Sequence, residues 1–530
     1  MLLAGFLLRL WLASGTFLNP DEALHFRIAN QISLAAVYRA SLTESHPPLL
    51  YWILHFLRGV AASELWLRLP SVIAGMFFCW FFFRWLTLVT GRVSGFVGLM
   101  LVAFLPPVVR LSADVRQYEL MLAFAAAALY CLERALAKGS VWLMATSSVC
   151  ALLAMSSHYS AFFFVAALGV YALMKIFWRG REPAVPRKVV AIWIVGQLFA
   201  VALLVFYYKT HLALLGQGES RTVLQGWMSE FYLRRSYFEA GKDNPLLFAI
   251  GHSFGVFQFV FGQLAVGDVA GLMFVAGTVL LWLVKGETRT FSRQLAVFLI
   301  LLFALGCAAS LAHKYPYGGT RHIAYLIIPA VAGVSFAIAR MASERWTRGL
   351  ALGLLVVVIC AGFGKQRQPY MTRADQSRAN MREAMAFVRD NVAPGSLIFT
   401  DFESSMFLGH YLCEQKPISV EAASLQFESF YCSRYHVVST NRRTATNFTP
   451  EVFLKLGDNV TAIYGLKPGE SLWVFQAGWG ADLPERLRAE SPKFRDLAFR
   501  AFGNNIKIFE APGRFATAGP QAYSGRGLAR

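Results

Sequence analysis

Residues 66–86 read WLRLPSVIAGMFFCWFFFRWL, a run in which Arg68 and Arg84 are the only charges. Coiled as a helix at about 1.5 Å per residue, it is long enough to cross a hydrocarbon core of about 30 Å. Further apolar stretches of about 17 to 21 residues lie near 2–18, 92–109, 118–136, 140–157, 160–178, 189–208, 268–285, 293–312, 323–341 and 347–364, so about eleven transmembrane helices are expected. The composition agrees: of 530 residues 56% are hydrophobic and 15% charged, against about 25% charged in soluble domains. The chain reads as a polytopic α-helical membrane protein, with the bilayer as its main solvent.

A formal charge of +19 does not point to nucleic acid, because the basic residues form short clusters between apolar runs rather than a basic face interleaved with aromatics. Those clusters fix a topology instead. With the N-terminus inside, Arg84 and Arg92, Arg134 and Lys138, Lys175 to Lys188, Lys285 to Arg293, and Arg340 to Arg348 all fall in cytoplasmic turns. That holds only if 246–265, apolar but interrupted by His252, Gln258 and Gln263, does not span. It is therefore read as an interfacial or re-entrant element of a long outer loop, 209–267. The first run lacks a basic start and carries Arg9, so it reads as a span rather than a cleaved signal peptide.

This topology puts the loop 19–65, the turns 110–117 and 313–322, and the chain beyond 365 on the outer side. Three parts are expected: a membrane domain 1–365, an extracytoplasmic α/β domain 366–515, and a disordered tail 516–530. In the second, NMREAMAFVRDNVAPGSLIFTDF (380–402) reads as amphipathic helix, Pro-Gly turn and strand, and YHVVST, LWVFQAG and IKIFEA as further strands. Cys413 and Cys432 are its only cysteines, and an oxidising compartment would let them pair. No His/Cys cluster has zinc spacing, so no structural metal site is expected.

FLNPDEALHFRIANQ (17–31) sets Asp21 beside Glu22 at the end of the first apolar run. One reading is a helix cap, with Asn19 or Asp21 accepting amide hydrogen bonds. The other takes in the motifs that follow: SHPPLLYWILHFL (45–57), ELWLRLPSVIAG (64–75), LSADVRQYELMLAF (111–124), SSHYSAFFFV (156–165) and GGTRHIAYLIIPA (318–330). In order and spacing these resemble the C-type (GT-C) membrane glycosyltransferases of family 39 and their bacterial relatives, the protein O-mannosyltransferases and lipid A aminoarabinose transferases. The resemblance covers about 1–340.

It implies an enzyme of the cytoplasmic (inner) membrane that takes a sugar from a polyprenyl-phosphate donor and passes it, at the outer face, to a lipid, glycan or protein acceptor. It also implies that the first-loop carboxylate, Asp21 with Glu22 completing the pair, is catalytic. The chemistry agrees: the incoming hydroxyl or amine needs a base while phosphate leaves, and the chain has neither a G-x-G-x-x-G motif nor a P-loop for a nucleotide donor. The departing phosphate calls for cations and hydrogen-bond donors. Arg116 and Arg321 rank first because the guanidinium fork donates two hydrogen bonds, ahead of His46, Tyr118 and His322. His158 and Tyr159, in a tight outer turn, are possible substrate contacts. For each there is a plainer role: His46 as a cap before Pro47 and Pro48, Arg321 as a headgroup anchor, Arg234 and Arg235 as contacts to anionic lipid. No cofactor is assigned with certainty, and metal need stays open, since some C-type transferases use a divalent ion and others do not. Two other functions compete: a transporter or flippase of lipid-linked sugars, against which stands the lack of an inverted repeat and of paired charges deep in successive spans, and a non-catalytic membrane scaffold.

Overall fold

The computed structural model describes residues 1–42, 44–178, 184–215, 233, 235–286, 289–362, 374–413, 420–432, 434–442, 444–466 and 471–512; Arg234 and the tail 516–530 lie outside them. Contacts divide the chain into two units, Met1–Gly15 with Ile28–Pro369, and Thr16–Arg27 with Tyr370–Arg530.

The first unit is helical. Among the described residues six helices are long and apolar enough to cross a membrane: Glu64–Thr90, Tyr118–Lys138, Arg187–Leu215, Leu264–Leu283, Arg289–Leu311 and Arg321–Ser343. The pair Arg92–Phe104 and Pro106–Ala113, bent by 56°, makes a seventh if taken as one span. The expected count of eleven is thus not reached by length. The other four runs do form helices, Leu2–Ser14, Val141–Ser157, Ala161–Phe177 and Arg348–Gly362, but of 13, 17, 17 and 15 residues, or about 20–26 Å. Where an interfacial or re-entrant element is expected, Pro245–Phe261 forms a continuous helix, and Gly262 at φ +76° turns the chain directly into Leu264–Leu283. The helices Arg321–Ser343 and Tyr118–Lys138 are the most enclosed, 94% and 78% buried along their apolar stretches, whereas Arg187–Leu215 is only 17% buried along its own. Close approach at the centre depends on glycine: a Cβ on Gly277 would meet the Gly333 carbonyl at 2.3 Å.

The bend has a local cause. Pro106 and Pro107 lack the N–H groups that would pair with the carbonyls of Val102 and Ala103. In their place the buried Arg9 guanidinium donates to both, at 2.9 Å each, and to Ser112 Oγ at 3.0 Å. An arginine inside an apolar helix is costly in lipid unless it is enclosed and partnered, and here the prolines supply its partners.

The second unit is built on one seven-stranded sheet of order β2-β3-β4-β1-β5-β7-β6. β1 is Leu397–Thr400, β2 Glu421–Ala422, β3 Phe427–Cys432, β4 Tyr435–Thr440, β5 Ser471–Ala477, β6 Phe499–Ala501 and β7 Ile506–Pro512. β1 runs parallel to β4 and β5, and every other pairing is antiparallel. Helix Arg378–Asn391 precedes β1, with Gly395 at φ +83° in the turn. Phe399, Phe427, Val438, Phe453, Val474 and Phe509 form the core. Cys413 and Cys432 are joined by a disulfide.

Candidate functional site

The carboxylate pair opens helix Pro20–Ala29. Asn19 Oδ1 accepts from the Glu22 N–H at 3.0 Å, and Glu22 Oε2 accepts from the Asn19 N–H at 2.8 Å. This is a reciprocal capping box with proline at the first helical position, where a missing N–H costs nothing. The two carboxylates therefore differ: Glu22 is fully buried and engaged in the cap, while Asp21, one position earlier, is half-buried with its backbone carbonyl bound by His25 Nδ1 at 2.6 Å. The cap reading of NPDE holds for Asn19 and Glu22.

The first unit gathers aromatic and basic side chains from separate elements. The His158 ring lies 4.9 Å from that of Tyr118 and 5.1 Å from that of His46, and His46 and Tyr118 are 6.3 Å apart. His46 does not cap the next helix, Leu49–Leu57, whose N-cap is Pro48 without a side-chain bond. Arg116 sits in the link between Ala113 and Tyr118, its backbone held by Ser71, whose Oγ donates to the Arg116 carbonyl at 2.9 Å and accepts from its N–H at 3.3 Å. Arg321 and His322 open the short 3-10 helix Arg321–Leu326, and the His322 carbonyl accepts from the Tyr315 hydroxyl at 3.0 Å. Tyr159 packs on Phe162 and Tyr207, at 5.9 Å each.

His158 shows what the cluster does electrostatically. Burial, then the charges of Arg116 and Arg321, push its pKa down to about 3, so the imidazole is neutral. Its Nδ1 accepts the Ser160 N–H at 3.1 Å and lies 2.7 Å from Ser160 Oγ. The ring proton therefore resides on Nε2, a buried atom with no hydrogen-bond partner among the described residues. Two guanidiniums and a neutral N–H donor in one region make a chemistry suited to an anion. Sequence reasoning named His46, Arg116, Tyr118, His158 and Arg321 but missed Ser71 and Ser160, which fix two of them; nothing distinguishes these serines from others before the helices meet. Among the described residues no group of three or more His, Cys, Asp or Glu side chains is placed to hold a metal ion.

Residues 45–208, which contain His46, Ser71, Arg116, Tyr118 and His158, match the family model described as dolichyl-phosphate-mannose-protein mannosyltransferase. The class this match supports is the C-type (GT-C) integral membrane glycosyltransferase. By sequence, no curated protein matches the chain. Among solved structures the chain is similar to the oligosaccharyltransferase of Archaeoglobus fulgidus in complex with Zn and sulfate (TM-score 0.48, 11% identity, 78% of this chain and 61% of that one). It is similar also to ArnT from Cupriavidus metallidurans in the apo state (TM-score 0.42, 12% identity, 97% of each chain) and to arabinosyltransferase EmbB from Mycobacterium smegmatis (TM-score 0.31, 15% identity, 74% and 42%). The chain spans 61% of the length of the oligosaccharyltransferase.

Proposed function

We propose that the protein transfers a sugar from a polyprenyl-phosphate carrier to an acceptor hydroxyl or amine at the outer face of the cytoplasmic membrane. The acceptor atom bonds to the anomeric carbon, the bond from that carbon to the phosphate oxygen breaks, and the carrier leaves as a lipid monophosphate. Asp21 takes the acceptor's proton. Arg116 and Arg321 balance the charge that gathers on the phosphate, with His158 Nε2–H as a neutral donor and Tyr118 and His46 around it. The observation that carries this reading is the family match over 45–208, the stretch that supplies most of the anion-binding set.

The test is turnover of a polyprenyl-phosphate mannose, read as release of polyprenyl monophosphate by the full-length protein in lipid nanodiscs. Asp21→Asn keeps shape but takes no proton, so kcat falls about a hundredfold or more while polyprenyl monophosphate still binds. Arg116→Ala and Arg321→Ala weaken that binding as well as turnover, and lysine restores it only in part because it lacks the fork. If Asp21→Asn instead loses lipid-phosphate binding and turns over normally at saturation, Asp21 is a donor contact and not the base.

A further inference from the structure

The segment that carries Asp21 folds as part of the C-terminal unit. Thr16 pairs with Ser377 in an antiparallel bridge, and the Phe17 N–H donates to the Gln376 carbonyl at 2.8 Å. The Leu18 N–H donates to the Tyr411 hydroxyl at 2.9 Å. Phe17 meets Phe407 edge-on at 5.7 Å, and Phe26 meets His410 at 4.6 Å. Past the carboxylates, Arg27 pairs with Glu428 at 2.5 Å and lies over the Phe402 ring at 4.9 Å. The segment is thus held through Leu18, before Asp21, and through Arg27, after it.

Besides Gln376 and Ser377, just ahead of helix Arg378–Asn391, the anchors come from two elements. Phe402, Phe407, His410 and Tyr411 belong to helix Phe402–Tyr411, and Glu428 belongs to β3. Asp401 pins the start of that helix by accepting from the N–H groups of Ser404 and Phe448, at 2.8 and 3.1 Å. At its other end Cys413, two residues past Tyr411, is bonded to Cys432, the last residue of β3. The disulfide closes the frame from which the segment is held.

We propose that the C-terminal sheet domain is a positioning platform for the Asp21 segment, with Arg27 and Tyr411 as positioning residues and the Cys413–Cys432 disulfide as the staple between the two anchoring elements. This rests on the proposed role of Asp21. The Arg27–Glu428 pair is a quarter exposed on each side chain, and such pairs add about 0–1 kcal/mol to folding. A displacement of about 1 Å in a catalytic group, by contrast, costs up to about a hundredfold in rate. The effect therefore belongs in kcat rather than in stability.

Two measurements on the full-length protein in nanodiscs test it. In hydrogen exchange, Arg27→Glu and Tyr411→Phe accelerate exchange in residues 16–27 and leave the sheet strands unchanged. In turnover of polyprenyl-phosphate mannose, Arg27→Glu lowers kcat about tenfold or more with the donor KM near wild type, and the swap Arg27→Glu/Glu428→Arg restores most of it. Reducing the disulfide loosens 16–27 in the same way. Unchanged exchange in 16–27, a loss that the swap does not rescue, or a loss that follows a lowered melting temperature overturns the platform. An Asp21→Asn protein that still turns over overturns the base reading instead, and leaves the exchange result to decide the anchoring on its own.

Discussion

At the scale of single residues, the site depends on groups made unequal by their surroundings. Asp21 and Glu22 are adjacent and chemically alike, yet the capping box engages one and leaves the other half-buried. His158 is a histidine that does not titrate near neutrality, because burial and two guanidiniums oppose its charge. Its proposed role follows from the atom that carries the proton. A glutamine at 158 places an amide nitrogen near the position of Nε2, and an asparagine places one near Nδ1. His158→Gln is expected to keep affinity for polyprenyl monophosphate within about threefold, whereas His158→Asn weakens it about tenfold or more, roughly 1.4 kcal/mol. Titration of the lipid monophosphate against nanodisc-embedded protein reads this directly. Equal losses in the two variants would make His158 a packing residue.

At the scale of elements, the bent pair Arg92–Phe104 and Pro106–Ala113 leads straight into the link that carries Arg116, so the angle of the bend sets where that arginine begins. Removing Arg9 leaves the Val102 and Ala103 carbonyls without the donors that replace the missing proline N–H groups. At about 1–3 kcal/mol for each buried unsatisfied group, Arg9→Leu is expected to destabilise the helical unit by roughly 2–6 kcal/mol. Thermal unfolding in detergent checks this, and a melting temperature equal to wild type would show that the carbonyls find other partners. Arg9→Lys recovers little, since one ammonium does not span two carbonyls and a hydroxyl as the guanidinium fork does.

At the scale of the whole molecule, the expected sidedness turns on one helix. If Pro245–Phe261 does not cross, a tag inserted near 290 reports the cytoplasm and one near 430 the outer compartment. If it crosses, both readings reverse, because the basic turns after it change sides. Protease protection in sealed vesicles distinguishes the two, and an outer reading at 290 refutes the arrangement in which every basic turn is cytoplasmic.

What the sequence determined by itself is whatever depends on local pattern. The membrane class follows from apolar length and sparse charge, and the strands Tyr435–Thr440, Ser471–Ala477 and Ile506–Pro512 stand where YHVVST, LWVFQAG and IKIFEA predict them. β3 carries no such signal, because FESFYC does not alternate and its register is set by pairing with β4. Only the tertiary structure decided that Arg9 serves the carbonyls of Val102 and Ala103, that Ser71 holds Arg116, that Ser160 sets the tautomer of His158, and that Thr16–Arg27 belongs with chain beyond residue 370. The physical reason is the same in each case. Periodicity and capping act over a few residues, whereas a buried hydrogen-bond partner is assigned by which surfaces packing brings together, and no spacing in the chain encodes that.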